Sequence, residues 1–333
     1  MPTNYSYKNA VFTLAITDHL EGPLDRPSAE VYGETAELVR LADTLGVRYA
    51  WFAEHHIHAH RGHLPTPLLL ALHLAGMTRR IHLGMAVTCL NLHPPLDIAE
   101  QVAVADHLMN GRLAPGFGSG ATPMEATWLG VEDATDEPER HRRFETSLNI
   151  IRAAWEGSGG AGTHTFLPKP ATDLRKRTWI AVNSEGAAQI AGRFGGNILF
   201  SHLRTPMQHN QYAAAYCAAG GAGLIAMNRP IYVGHDDAAA FAEAEPALRI
   251  AWRRFRAEGK IPADTPEPTA TADLCAHPLN FIVGGPASVA RQLQQLHASC
   301  PFDVLNAELR WEGLTHAQVL ECLKRLAALI PQL

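Results

Sequence analysis

The sequence predicts an α/β protein folded as a (β/α)8 TIM barrel, one domain over residues 1–333, with insertions after strands 4 and 7. Three observations predict it. Short apolar runs and amphipathic stretches alternate along the chain. Eight of these runs are strand-like and each leads into a helix, the pattern of a closed parallel barrel. No Pro/Gly linker divides the alternation into halves with separate cores. A doubly wound open sheet is the alternative that the same alternation allows.

The first unit pairs a strand at 10–16 with an amphipathic helix at 29–45, closed by Gly46, which suits a helix C-cap. The second pairs 47–53 with a helix at 66–77, and the third pairs 81–90 with 96–109, stopped by Asn110 and Gly111. The fourth strand, 112–118, is followed by an acidic segment at 125–139 and a helix at 140–155. A Gly-rich stretch at 157–162 and the region up to 177 form an excursion. The rhythm resumes with strand 178–183 and helix 185–194, then 196–201 with 207–219, then 224–233 with 236–257. The Pro- and Thr-rich stretch 259–278 is the second addition. A helix at 287–298, a strand at 302–309 and a helix at 317–329 complete the chain.

Composition narrows the function. The 47% hydrophobic content excludes intrinsic disorder, since it supplies enough apolar surface to offset the ordering entropy of a large core. A net charge of -5 lacks the basic excess that phosphate neutralisation demands, so nucleic acid is not an expected partner. No apolar run reaches the ~20 residues needed to cross a bilayer. The first residues carry no signal-peptide pattern, and a cytoplasmic location is expected. Cys89, Cys217, Cys275, Cys300 and Cys322 are odd in number and lack CxxC spacing, which points to neither a disulfide framework nor a cysteine zinc site.

In such a barrel, chemistry belongs at the C-terminal ends of the strands. Strand two ends in WFAEHHIHAHRGH, which gathers Glu54, His55, His56, His58, His60 and His63. A solvated polar loop is the plain explanation. The HxH of His58 and His60 would suit a metal, since alternate residues of an extended segment face the same way. Only Asn183, His202 and Glu308 stand at other strand ends to complete such a site, so no metal is expected. Strand four ends in GFGSG, which has neither GxGxxG nor GxSxG spacing. Its glycines let a flat ligand or another backbone approach closely, unless they form a plain loop. Asn183, Ser184, Glu185 and Gly186 open a helix, where free N–H groups suit a phosphate, or where Ser184 is simply an N-cap. Phe12, Cys89, Asn91, His58 and His60 are candidates to line a pocket of mixed polarity.

The runs VRYAWFAEHH, LGMAVTCLNLHPP and AEQVAVADHLMNGRLAPGFGSG resemble the bacterial luciferase-like flavin-dependent monooxygenases. The likeness continues through WIAVNSEGAAQIAGRFGGNILFS to FIVGGPASVARQLQQL and FDVLNAELR, nearly the whole chain. It implies a single TIM barrel that binds reduced FMN at its mouth. There O2 adds to the flavin as a C4a-peroxide that oxygenates a small organic substrate, with a separate reductase supplying the flavin and the chain forming a homo-oligomer. The alternative is an F420- or FMN-dependent hydride-transferring dehydrogenase. The EHH triplet resembles the FMN branch, whereas F420 enzymes usually carry serine-aspartate-histidine there. A metal-dependent hydrolase and a non-catalytic flavin-binding paralogue are the remaining alternatives, and the retained Glu54, His55 and His56 speak against the second.

The resemblance also implies roles by position. His55 matches the histidine that handles a proton near the flavin, a task that suits a pKa of ~6.5. Glu54 matches the carboxylate beside the ring, and His56 is its neighbour. Ala86 and Val87 match the small pair behind the isoalloxazine, joined in the family by a cis peptide. Ser184, Glu185 and Gly186 match the phosphate segment, and His202 stands where luciferase has an aromatic residue. Three positions depart from luciferase: Gly118 replaces a reactive cysteine, Ser119 an arginine that assists the phosphate, and Asn183 a glutamate. Arg193 or Arg204 would then supply the lost charge. The stretch 259–278 falls where family members carry a mobile lid.

Overall fold

A computed structural model describes residues 11–23, 25–57, 60–120, 123–131, 136–157 and 165–333. The chain runs β1 (Thr13–Asp18), α1 (Ser28–Leu45), β2 (Tyr49–Phe52), α2 (Pro67–Ala75), β3 (His82–Met85), β4 (Thr88–Cys89), α3 (Pro95–Leu108), β5 (Leu113–Ala114) and β6 (Gly116–Gly118). It continues with α4 (Pro123–Trp128), α5 (Glu137–Glu156), α6 (Leu174–Arg177), β7 (Trp179–Val182), α7 (Glu185–Phe194), β8 (Asn197–Phe200), α8 (Pro206–Ala218) and β9 (Ile225–Val233). Last come α9 (Asp237–Ala257), β10 (Ile282–Gly284), α10 (Pro286–Ser299), β11 (Val304–Glu308) and α11 (His316–Leu329). Every strand pairing is parallel. The pairings curl the sheet in the order β4-β6-β7-β8-β9-β11-β1-β2-β3-β5.

Two expected strands are each broken in the middle. The run 81–90 becomes β3 and β4, separated by Ala86 and Val87, whose peptide bond is cis. The run 112–118 becomes β5 and β6, separated by Pro115, which has no N–H for the ladder although its carbonyl accepts from Trp179 N–H at 2.8 Å. The two breaks face each other, because β3 pairs β5 below them and β4 pairs β6 above. β10 is an additional three-residue strand beside β9, too short to show any periodicity in the sequence.

The first strand ends later than expected, at Asp18. Thr17 and Asp18 are polar, yet both are buried. Asp18 accepts from Leu20 N–H at 2.8 Å, from the Thr35 hydroxyl at 3.0 Å and from Arg310 Nε at 3.1 Å, so its charge is matched inside the fold. Helix α5 starts at Glu137, three residues before the expected 140, because Asp136 caps it by accepting from Glu139 N–H at 2.8 Å. The expected excursions are tied down where they are described. Thr172 N–H donates to Asp106 of α3 at 2.8 Å, and Glu267 pairs with Arg249 and Arg253 of α9 at 3.0 and 2.9 Å. Residues 158–162 of the Gly-rich stretch lie outside the described residues.

Alternate residues of a strand point to one face, and the inner face of this sheet changes character along each strand. Low down, Ala15, Trp51, Ala114, Trp179, Leu199, Ala226 and Val304 form a buried cluster of their own. Large rings meet small side chains there, with Trp51 edge-on to Trp179 at 5.0 Å and stacked on Tyr49 at 4.8 Å. Two residues further along the strands stand Thr17, Ala181, Ser201, Asn228 and Asn306, around open space. The lower half of the interior is thus filled, and the upper half is a polar mouth.

Gly84 makes that filling possible. It lies opposite Trp51 in the register, and the Trp51 indole N–H donates at 3.3 Å to the carbonyl of Ala114 on the strand beyond. A Cβ on Gly84 would collide with that same carbonyl. Gly84→Ala is therefore expected to cost at least the ~1–3 kcal/mol typical of overpacking. Denaturant unfolding checks this, and wild-type stability in the variant would contradict the packing.

Candidate active site

The polar mouth is a cavity of about 210 Å³ lined by Thr17, His19, Arg61, Ala86, Val87, Ala181, Asn183, His202, Asn228, Lys260 and Asn306, among others. Buried atoms without partners gather around it: both ring nitrogens of His202, Oδ1 of Asn228 and Oδ1 of Asn306. Buried polar atoms rarely stay unpaired, so this wall is built to meet a ligand or water. On one side Val87 rests on Gly118, where a Cβ would come within 2.6 Å of Val87 Cγ2. The glycine at 118 is thus needed for close packing behind the cis Ala86–Val87 peptide.

Glu54 is the hub of a second group. Strand β2 carries it into the end of the sheet, where its N–H donates to the Val87 carbonyl at 3.4 Å. Its carboxylate accepts from His56 Nε2 at 2.9 Å, from His93 Nε2 at 2.8 Å and from Cys89 N–H at 3.2 Å. These are hydrogen-bond distances, so the trio is a hydrogen-bonded hub. Burial would raise the Glu54 carboxyl, but the hydrogen bonds from His56 and His93 hold it below its ordinary value. The bond to Glu54 raises the His56 imidazole. His56 is further fixed by its N–H, which donates to Glu125 at 2.9 Å.

His55 points another way. Its Nε2 lies 3.0 Å from His19 Nδ1, and its backbone N–H donates to the Leu64 carbonyl at 3.1 Å. His55 is not among the residues lining the cavity and reaches the wall through His19. Beyond His19 lies a buried charged network. Glu308 Oε2 is 3.7 Å from His19 Nε2, 4.0 Å from His202 Nδ1 and 3.4 Å from Asn228 Nδ2. Arg61 bridges Glu308, at 3.8 Å, and Glu21, to which its Nε donates at 2.6 Å. Arg254 adds a second cation to Glu21 at 3.0 Å. Burial would raise the Glu21 carboxyl, but Arg61 and Arg254 hold it low. Glu308, by contrast, is pushed up to about 7 by burial, which Arg61 only partly offsets. Burial, aided by Arg61 for His19 and by Arg229 for His202, keeps both imidazoles neutral.

The turn at 183–186 lies on the rim. Ser184 caps α7 by accepting from Ala187 N–H at 3.3 Å, so the N-cap reading of this serine is met. His141 lies against the turn, 3.4 Å from Ser184 Oγ, and a Cβ on Gly186 would come within 2.8 Å of its ring. Arg204 Nε donates to the Asn183 carbonyl at 3.3 Å, whereas Arg193 is engaged by Glu145 at 2.7 Å. Of the two expected charge donors, Arg204 is the one at the turn. Glu185 is exposed, and the Ser119 hydroxyl turns to the Gly120 carbonyl at 3.3 Å.

Several expected pocket residues lie elsewhere. Phe12 packs at the opposite end of the sheet against Phe302, with ring centroids 4.8 Å apart. Asn91 donates to the Arg140 carbonyl at 3.1 Å, and His60 pairs with Glu312 at 3.1 Å. His58 lies outside the described residues. The sequence reading missed His19, because it ended strand one at Ile16 ahead of the polar TDH, and it missed Glu21, Arg61 and Arg254, which meet only in the folded chain. It missed His93 as a partner of Glu54, although this residue sits in the HPP run.

Residues 11–301 match the model of the luciferase-like monooxygenase family. The chain belongs to this family. A Sinorhizobium fredii relative, y4wF, is 30% identical over 257 residues, 72% of this chain and 73% of that protein. The 4-hydroxyprotoasukamycin monooxygenase of Streptomyces nodosus subsp. asukaensis is 35% identical over 48% of this chain and 44% of its own. The oxygenase component of the flavin-dependent trigonelline monooxygenase of Acinetobacter baylyi is 25% identical over 56% and 53%. The chain thus spans about half the length of these two enzymes. In fold it resembles the monooxygenase RslO1 of Streptomyces bottropensis, with a TM-score of 0.79 at 20% identity over 95% of this chain and 98% of that one. The oxygenating constituent of 3,6-diketocamphane monooxygenase of Pseudomonas putida, solved with FMN, gives 0.75 at 18% identity over 97% and 98%. An F420-dependent secondary alcohol dehydrogenase gives 0.70 at 14% identity over 96% and 98%. Among the described residues no helix is long and apolar enough to cross a membrane.

The Glu54 hub makes a pH prediction. The depressed Glu54 contributes stability that is present above its unfolded value of 4.5 and is lost as pH falls through the folded one. The raised His56 contributes stability that is present below 6.5 and is lost as pH rises through its folded value. Glu54→Gln is therefore expected to destabilise most between pH 4.5 and 6.5, and less on either side. Unfolding curves of both proteins across that range check it, and a pH-independent difference would contradict the Glu54–His56 pairing.

Proposed function

We propose that this chain is a single-domain oxygenase component of a two-component monooxygenase. It takes reduced FMN from a separate reductase and uses O2 to oxygenate a small organic molecule, as a homo-oligomer. The observation that carries the reading is the cavity wall. A flat, small-residue backbone at Ala86 and Val87, supported by Gly118, faces buried and unpartnered polar atoms of His202, Asn228 and Asn306. Such a wall suits a planar ring system with heteroatoms at its edge. The family match and the flavin-dependent relative from Acinetobacter baylyi support the same reading.

Reduced FMN supplies, when bound, the electron pair that activates O2. The chain's own residues would do the rest. Ala86 and Val87 would lie against the isoalloxazine, and the turn at Asn183, Ser184, Glu185 and Gly186, with Arg204, would hold the phosphate at the start of α7. Ser119 would stand near it without charge. His202 would meet the ring edge as a neutral imidazole. Glu54 and His56 would hold the end of β2 in place, and His55 would move the proton. Phe255 and Lys260 line the cavity, and the 259–278 segment, to which Lys260 belongs, would restrict water. An F420-dependent hydride transfer is the competing reading of this fold. The Glu54-His55-His56 triplet favours FMN.

Two measurements test this. Mixed anaerobically with reduced FMN and then with O2, the protein is expected to slow the return of oxidised-flavin absorbance relative to free flavin. Reoxidation at the free rate, or binding of F420 alone, would overturn the reading. Arg204→Ala is expected to weaken reduced FMN about 10-fold or more while leaving phosphate-free riboflavin unaffected, as removal of a charge-assisted hydrogen bond requires. Equal weakening of both flavins would remove Arg204 from the phosphate.

A further inference from the structure

Three side chains from three strand ends form a line beside the mouth, and of the three it is His19 that lines the cavity. His55 follows β2, His19 follows β1 and Glu308 closes β11. His55 Nε2 and His19 Nδ1 are 3.0 Å apart, and the other nitrogen of His19 is 3.7 Å from Glu308 Oε2. The first contact is a hydrogen bond between two imidazoles. The second is within a short side-chain movement of one, and such contacts commonly tighten when a site fills. His19 is held for this task by the turn at Asp18, which receives Leu20 N–H, Thr35 and Arg310. Leu20 itself has φ 52°, an unusual backbone for a leucine.

We infer that Glu308, His19 and His55 form a proton relay in which Glu308 stores the proton that His55 takes up. The inference rests on the reading of His55 as the proton-handling residue. A proton arriving at His55 Nδ1 releases the Nε2 proton to His19 Nδ1, and His19 passes its own Nε2 proton to the Glu308 carboxylate. One N–H forms and one breaks on each ring, one O–H forms on Glu308, and both imidazoles end neutral. The reverse sequence returns the proton. No imidazolium has to persist in a buried site, where it would be costly.

The surrounding groups fit this role. Arg61 and His202 face Glu308 at 3.8 and 4.0 Å, and Asn228 donates to it at 3.4 Å. Glu21 and Arg254 balance Arg61 from behind, while Glu258 and Lys260 add an opposed pair at the end of α9. Burial pushes Glu308 to about 7, so both its states are accessible near neutral pH. Burial keeps His19 neutral, as a conduit requires. His19 and His55 are therefore not interchangeable: His19 is a positioning and relay residue, and His55 is the terminus.

The relay predicts a signature in the flavin-free protein. With Glu308 protonated, both rings carry their proton on Nδ1; with Glu308 ionised, both carry it on Nε2. ¹⁵N-histidine NMR between about pH 5 and 9 should show both tautomers change in one step, and Glu308→Gln should abolish that step. His19→Gln, which puts an amide at the same place, should remove the Glu308-linked tautomer step from His55. Rings that hold one tautomer throughout, that switch at different pH values, or that switch unchanged in Glu308→Gln would overturn the relay. Failure to bind reduced FMN would overturn the proposed function and leave this result standing. If the enzyme turns over, His19→Gln should lower kcat by ~100-fold and remove its pH limb without raising KM, as loss of proton transfer does.

Discussion

A parallel sheet that curls on itself must fill its own interior, and here Trp51 and Trp179 fill the lower half. Their size is accommodated by Ala15, Ala114 and Ala226, and by the missing side chain of Gly84. The Trp51 indole finds its hydrogen-bond partner on a strand two places away. Because the floor is solid, the interior above it is free to be polar. The same inward columns that carry Ala15, Val304 and Ala226 continue as Thr17, Asn306 and Asn228. Asn306 donates to the Thr17 hydroxyl at 2.6 Å across that layer. The cavity follows from which layer of each strand is filled and which is left open.

Above the polar layer stand charges that water would otherwise solvate. Burying them is tolerable only when they are matched, and the matching is uneven. Glu21 receives two guanidinium groups and is held low, whereas Glu308 shares one of them at a distance and is pushed up. Two carboxylates on one network therefore differ in proton affinity by their surroundings alone. Glu54 is a third case, satisfied by two histidines and a backbone N–H.

The alternation of strands and helices was legible because it reflects periodicity, which local sequence carries. The breaks in the third and fourth strands were not, since a proline and a cis peptide interrupt the ladder without interrupting the apolar run. The candidate site was legible where a motif resembles a family, as at Ala86 and Val87, expected and found to be joined by a cis bond, whereas the EHH cluster did not reveal that its three side chains lie behind the cavity lining. It was not legible where the partners are distant in the chain. His19 and His55 are 36 residues apart, and Arg310 reaches Asp18 across 292. Register and curl bring these together, and neither leaves a mark on spacing. Phe12 illustrates the opposite error: an apolar residue at a strand start belongs to the closed end of the sheet, far from the mouth.

On the proposed reading, a planar cofactor would lie between a small-residue backbone and a set of orphaned polar atoms, with its phosphate at a helix start. A crystal structure of the protein with FMN tests this most directly. The isoalloxazine is expected in van der Waals contact, within about 4 Å, with the Ala86–Val87 backbone, and the phosphate at Ser184 and Arg204. A flavin bound elsewhere, or with its ring and phosphate ends exchanged, would contradict it.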